Sequence, residues 1–255
     1  MEAKTTGQYT KQIEEITNIK CGYSWLNDGT LKAETEALLT AAHEQALSTK
    51  SHKARIMKVS SDPSCRMCGR ANETVAHILS ACTELAATEY LKRHNNVARV
   101  VQWSMCKEYG IEVVSPYWKH EPQSVIETSK VKILWDFEIR TDHHIQARRP
   151  DIVLQDKEKK KTLIVDIAVP EDRNICQKER EKIDKYQDLK LEIQKLWNCK
   201  VRVIPIVVGV LGAYSPNLHK YLLVPGEHRE RQLVKEALLG SAHILRRVLD
   251  LPESW

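Results

Sequence analysis

Two aspartates and two lysines arranged around a charged turn carry the first chemistry this chain offers. Residues 149–186 read RPDIVLQDKEKKKTLIVDIAVPEDRNICQKEREKIDKY. Ile152-Val153-Leu154 and Leu163 to Val169 are apolar runs, and the segment Asp156 to Lys161 between them is charged. That is the pattern of a β-hairpin with a solvated tip. Asp151 opens the first run and Asp166 lies inside the second, equally far from the turn centre near Glu158 and Lys159. Antiparallel pairing therefore brings the two carboxylates roughly opposite each other. Asp166 is embedded in a run apolar enough to be buried on both faces, where an ionised carboxylate needs a compensating cation. Two close carboxylates on a rigid hairpin suit a hard ion such as Mg²⁺, which can activate water and stabilise charge on a phosphate.

The segment after the hairpin supplies positive side chains. From Asp172 to Trp197 apolar residues recur near helical spacing, which predicts one continuous helix. Lys182 and Tyr186 are four residues apart and share a face, and Lys185 is the neighbouring candidate. Either lysine, set beside metal-bound carboxylates, would orient an attacking water or steady the charge on phosphorus. Tyr186 would orient that lysine or touch nucleic acid. Arg148 and Arg149, just before Pro150, are candidate phosphate contacts. The competing expectation is structural: Asp151 caps a turn and Asp166 forms a buried ion pair with one of the lysines.

A second constellation lies upstream. Cys65, Cys68, His77 and Cys82 are spaced C-x₂-C-x₈-H-x₄-C, one Cys₃His set for a tetrahedral zinc ion. The x₈ gap is longer than the x₄ of a compact retroviral zinc knuckle. His94 and Cys106 are left out of this set because four ligands already close it. Lys92-Arg93-His94 reads instead as a small basic cluster for a backbone phosphate.

Arg149-Pro150-Asp151, then Asp166, then Lys182 to Tyr186 resembles the restriction-like endonuclease of the PD-(D/E)XK superfamily. In particular it resembles the variant in site-specific non-LTR retrotransposons, in which the lysine has moved from the second strand to the next helix. Asp166-Ile167-Ala168 accordingly has no lysine two residues on. The Cys-Cys-His-Cys motif just ahead of the endonuclease is similar to that family too, and the likeness runs from about residue 30 onward. It implies a restriction-endonuclease-like α/β core that nicks target DNA, the freed 3′ end priming reverse transcription of element RNA. It further implies a longer polyprotein whose reverse transcriptase region lies before this part, with nuclear residence. This chain has no paired-aspartate polymerase box, so it is expected to cut but not to copy. A decayed or domesticated zinc protein that binds nucleic acid without cleaving it is the alternative.

The rest of the chain must position these groups. With 255 residues, 42% of them hydrophobic, there is enough for one sizeable core and a smaller module. A net charge of +5 permits nucleic acid without being diagnostic, and a single Phe argues against an aromatic single-strand platform. Seven cysteines, without a signal peptide or a membrane-length apolar run, fit a reducing interior. The expected class is mixed α/β. A helical region over residues 1–58 precedes the zinc motif with flanking helices (59–115), the endonuclease core (125–225) and a C-terminal helix (226–255). Cys21 and Trp25 are expected to anchor the first region, and His43 to be a surface or packing residue. Lys130 to Ile139 alternates as a strand, with Asp136 and Glu138 on its solvated face. His143 and His144 are adjacent and so point apart, a poor joint metal site. Val201 to Val210 reads as a buried strand that Pro205 places at an edge or bulge, and Gly209 and Gly212 suggest close backbone approach.

Overall fold

The computed structural model describes residues 9–10, 13, 22–27, 29–142, 144–222 and 227–252; Cys21 and His143 lie outside them. The architecture is mixed α/β. Five strands, β1 (Val125–Glu127), β2 (Val131–Trp135), β3 (Ile152–Asp156), β4 (Lys161–Ala168) and β5 (Lys200–Val207), form one sheet in that order. The first four run antiparallel, and β5 pairs parallel to β4. Numbering only helices longer than ten residues gives α1 (Ala33–His43), α2 (Leu91–Glu108), α3 (Ile175–Lys185), α4 (Gln187–Trp197) and α5 (Glu227–Leu249). Helices α3 and α4 make the crossover that a parallel β4–β5 pair demands.

Strand alternation decides which helix meets which residue. Leu163, Val165 and Ile167 of β4 face a core that contains Val97, Val100 and Val101 of α2 and Leu233, Ala237 and Leu238 of α5. Ile164 faces the opposite way, into a second core with Val153, Tyr186, Leu189 and Ile193. Helices cover both faces, which is why β3 and β4 read as near-continuous apolar runs. Asp166 is two residues beyond Ile164 and therefore lies on the α3–α4 side.

The hairpin forms as its sequence predicts. Ile152 pairs with Val165 and Asp156 with Lys161 across the charged turn. Asp156 itself is buried, accepting from Lys159 N–H at 2.8 Å and from the Tyr109 hydroxyl at 2.8 Å. Pro205 lies in an edge strand, as expected for a residue that cannot donate to a ladder. The expected backbone approach after β5 is also present. A Cβ on Gly209 would overlap the Asp172 carboxylate, and Gly212, at φ +96°, lies against Trp25.

Two expected elements differ. The period-two pattern of Lys130 to Ile139 outruns its strand, because β2 ends at Trp135 and Asp136 takes a left-handed backbone at φ +46°. Its amide then bonds the Asp151 carbonyl at 2.8 Å, and Ile139 bonds the Arg148 carbonyl at 2.8 Å. The helix expected from Asp172 to Trp197 is interrupted at Tyr186, whose φ of −107° and ψ of 14° separate α3 from α4. The Tyr186 side chain is fully buried under the sheet, which fixes the break. Among the described residues no helix is long and apolar enough to cross a membrane.

Candidate functional site

The register of the hairpin carries Asp151 and Asp166 to one end of it. Continuing the pairs one step past Ile152 and Val165 sets the two aspartates opposite each other. Asp151 stands just outside β3, and its side chain replaces the missing strand partner: Oδ2 accepts the Ile167 amide at 2.6 Å. The same oxygen accepts from His94 Nε2 at 3.1 Å. Among the described residues Oδ1 has no hydrogen bond, and the side chain is 23% exposed. Burial alone would raise this carboxyl, but the hydrogen bond and charge of His94, the Ile167 amide and the Lys182 charge together hold the group below its usual range.

Asp166 is only 2% exposed and is enclosed by α3 and the start of α4. Oδ1 accepts from the Tyr186 hydroxyl at 2.5 Å, with Lys185 Nζ at 3.5 Å. Oδ2 meets the Lys182 ammonium as an ion pair lacking hydrogen-bond alignment. The sequence pattern thus delivers both lysines to one carboxylate. Lys182 is 21% exposed against 45% for Lys185, whose ammonium also lies 4.6 Å from the centre of the Tyr186 ring. Burial, and then the Asp166 charge, push the Tyr186 phenol far above its ordinary value, so it stays a hydrogen-bond donor. A fully buried Tyr186 cannot touch nucleic acid. Its hydroxyl serves Asp166 and, at 3.4 Å, the Arg149 carbonyl, and of the two lysines it was expected to orient only Lys185 has its ammonium over the ring.

Arg148 and Arg149 are set beside this centre but engage acidic neighbours. Arg149 grips Asp136 through two nitrogens at 2.8 and 2.7 Å, and Arg148 pairs with Glu138 at 2.5 Å. Asp136 and Glu138 are exposed, although the strand ends before them and Phe137 between them is exposed as well, and they serve these arginines.

Cys65, Cys68, His77 and Cys82 converge with all four ligand atoms within 4.8 Å of one another. Cys65 Sγ lies 3.9 Å from Cys82 Sγ, and Cys68 Sγ lies 3.3 Å from His77 Nε2. Tetrahedral geometry with metal–sulfur bonds of about 2.3 Å asks for sulfurs roughly 3.8 Å apart. The cluster could therefore hold a metal ion such as zinc. Its frame is local. The Cys65 amide bonds the Ala71 carbonyl at 2.8 Å, and buried Glu73 accepts two guanidinium bonds from Arg66 at 2.8 Å each. The Tyr90 hydroxyl accepts from the Cys82 amide at 3.0 Å and donates to the Ile78 carbonyl at 2.7 Å, pinning the helical segment behind the ligands.

Sequence reasoning misplaced two neighbours on α2. Arg93 is not a phosphate contact. It is 2% exposed, donating to the Leu79 carbonyl at 2.7 Å and the Ser241 hydroxyl at 3.0 Å, and burial lowers its value to about 10. His94, weighed only as a basic residue or a fifth zinc ligand, instead meets Asp151 across 57 residues of chain. No local pattern signals that contact; only the packing of α2 on the sheet creates it. His43 is buried, stacked on Tyr9 at 3.9 Å with its Nε2 2.9 Å from the Leu211 carbonyl. Comparison with models of known families and with curated proteins finds no match for the chain.

Proposed function

We propose that this chain is a divalent-metal-dependent DNA endonuclease with a zinc-stabilised nucleic-acid-binding module. The observation that carries the reading is the hairpin end, where two aspartates share a register step and one of them receives Lys182 and Lys185 from the next helix and Tyr186 from the break that ends it. Asp151 Oδ1 and the Asp166 carboxylate would hold Mg²⁺, whose donor preference is carboxylate oxygen. When bound, Mg²⁺ supplies an activated water and charge stabilisation at a phosphate. Lys182, the more buried lysine, orients the nucleophile from the Asp166 side, and Lys185 lies outside it toward solvent. Tyr186 holds Asp166 in place. Arg148 and Arg149 would exchange their exposed acidic partners for phosphates. A zinc ion held by Cys65, Cys68, His77 and Cys82 would brace the helical side and contribute folding free energy.

The resemblance to the endonuclease of site-specific non-LTR retrotransposons extends this reading. The nick would prime reverse transcription of element RNA in the nucleus, with a reverse transcriptase region of a longer polyprotein as partner. A second reading, binding without cleavage, is favoured by the enclosure of Asp166, whose Oδ1 accepts from Tyr186 and whose Oδ2 is ion-paired with Lys182.

Plasmid nicking with and without Mg²⁺, beside Asp151→Ala and Asp166→Ala, separates the two. The endonuclease predicts metal-dependent nicking lost in both variants. A folded, zinc-loaded protein that shifts DNA but never nicks it supports binding alone.

A further inference from the structure

We infer that His94 is a positioning residue for Asp151, holding one carboxylate oxygen so that the other is presented to the divalent cation. The inference rests on the endonuclease reading and assigns a role to a side chain outside the hairpin and its following helix.

Asp151 stands beyond the end of its strand, so the ladder does not fix its side chain. Two donors do so instead, the Ile167 amide and His94 Nε2, and both converge on Oδ2. A carboxylate held through one oxygen by two donors from different directions has little freedom to rotate. Its Oδ1 is left for a ligand. The imidazole is oriented in turn, since Nδ1 lies 3.1 Å from the Asn95 side-chain oxygen.

The backbone beneath His94 is held as firmly. Its neighbour Arg93 bonds to the segment behind the Cys/His cluster and to α5, and Gly240 of α5 lies so close that a Cβ there would come within 2.5 Å of Arg93 Cγ. One turn earlier, Tyr90 ties α2 to the Cys82 amide. A histidine serving only helix packing would not need its ring aimed at a carboxylate from another element. The side chain is 25% exposed, so the space its replacement leaves opens toward solvent.

The test uses the zinc-loaded full chain and Mn²⁺ alone as the probe, titrated calorimetrically into wild type, Asp151→Ala, His94→Ala and His94→Gln. Asp151→Ala should lose the site. His94→Ala should weaken Mn²⁺ binding about ten-fold, the weight of one hydrogen bond to a charged group. His94→Gln, which returns an N–H near the Nε2 position, should recover binding to within about three-fold. Zinc content and melting temperature should stay level across the series. Should His94→Ala fold poorly, His94→Asn removes the same contact, its amide being too short to reach Asp151. Unchanged Mn²⁺ affinity in His94→Ala or His94→Asn, with the site lost in Asp151→Ala, overturns the inference and spares the endonuclease. A glutamine variant no better than the alanine or asparagine one also overturns it. Wild type indistinguishable from Asp151→Ala overturns the metal reading itself, and this inference with it.

Discussion

The Cys/His cluster draws all four ligands from eighteen consecutive residues, Cys65 to Cys82. The carboxylate centre takes Asp151 from the rim of β3, Asp166 from β4, Lys182 and Lys185 from α3, Tyr186 from the α3–α4 break and His94 from α2. The first is framed by turns and short-range hydrogen bonds; the second exists only once a sheet and helices on both its faces have assembled. A local cluster therefore stands or falls with its ligands, whereas an assembled one is exposed to remote changes in packing.

The largest test of this contrast removes a ligand. Cys82→Ser should abolish stoichiometric zinc, measured by elemental analysis, and forfeit most of a binding free energy on the order of 10 kcal/mol that is also folding free energy. Loss of the cooperative thermal transition is the expected result, and retained zinc with an unchanged transition would break the comparison. Gly240→Ala comes next. It touches no candidate site residue, yet its methyl meets Arg93 Cβ and Cγ at 2.8 and 2.5 Å. It should lower unfolding free energy in urea by about 1–3 kcal/mol through overpacking.

A third prediction concerns the anchor that leads into α3. Buried Asp172 accepts the Leu211 and Ala213 amides at 2.9 and 2.8 Å, while His43 bonds the Leu211 carbonyl on the other side of the same residue. Burial first raises Asp172 to about 6 and lowers His43 to about 4. The folded state thus takes up a proton at Asp172 before the unfolded chain does, so stability rises as pH falls from 6 toward 3.8. His43 acts oppositely, because its neutral form is favoured and that contribution is lost as pH falls from 6.5 toward 4. Each effect is worth up to roughly 3 kcal/mol, and between pH 4 and 6 they oppose each other. Asp172→Asn should make the melting temperature fall on acidification across this window, and His43→Gln should make it fall on going from pH 4 to 6. Parallel slopes in the two variants would contradict the arrangement. The smallest effect is expected from Tyr186→Phe, which takes one donor from Asp166 and leaves its ion pair. If the chain is the proposed endonuclease, nicking should drop about ten-fold, the low end of the roughly 1.5–3 kcal/mol for one lost bond to a charged group, while zinc content holds.

What could be read beforehand follows the same division. The convergence of Cys65, Cys68, His77 and Cys82 was legible because their spacing lets them meet within one short segment. The Asp151–Asp166 pairing was legible because two apolar runs and one charged turn fix a hairpin register. Lys182 and Tyr186 followed from helical spacing, although the break at Tyr186 did not. A tyrosine consumed by a buried carboxylate looks in sequence like any other helix residue. His94 was not legible at all, and neither was the burial of Arg93, because a helix carries no mark of which sheet end it will cross. The turn at Asp136 was hidden for a related reason, since apolar alternation persists after the chain has left the sheet.

The sheet's two margins bear on how the protein behaves in concentrated solution. β1 is only three residues long and offers little backbone to a newcomer. β5 is longer, but Pro205, level with Asp166 in the parallel register, has no amide hydrogen to give. A second molecule laying a strand along that margin would find its row of donors broken near the middle. Both margins thus resist strand-by-strand growth, and Pro205→Val should shorten the lag of thioflavin-reported fibril formation at millimolar protein.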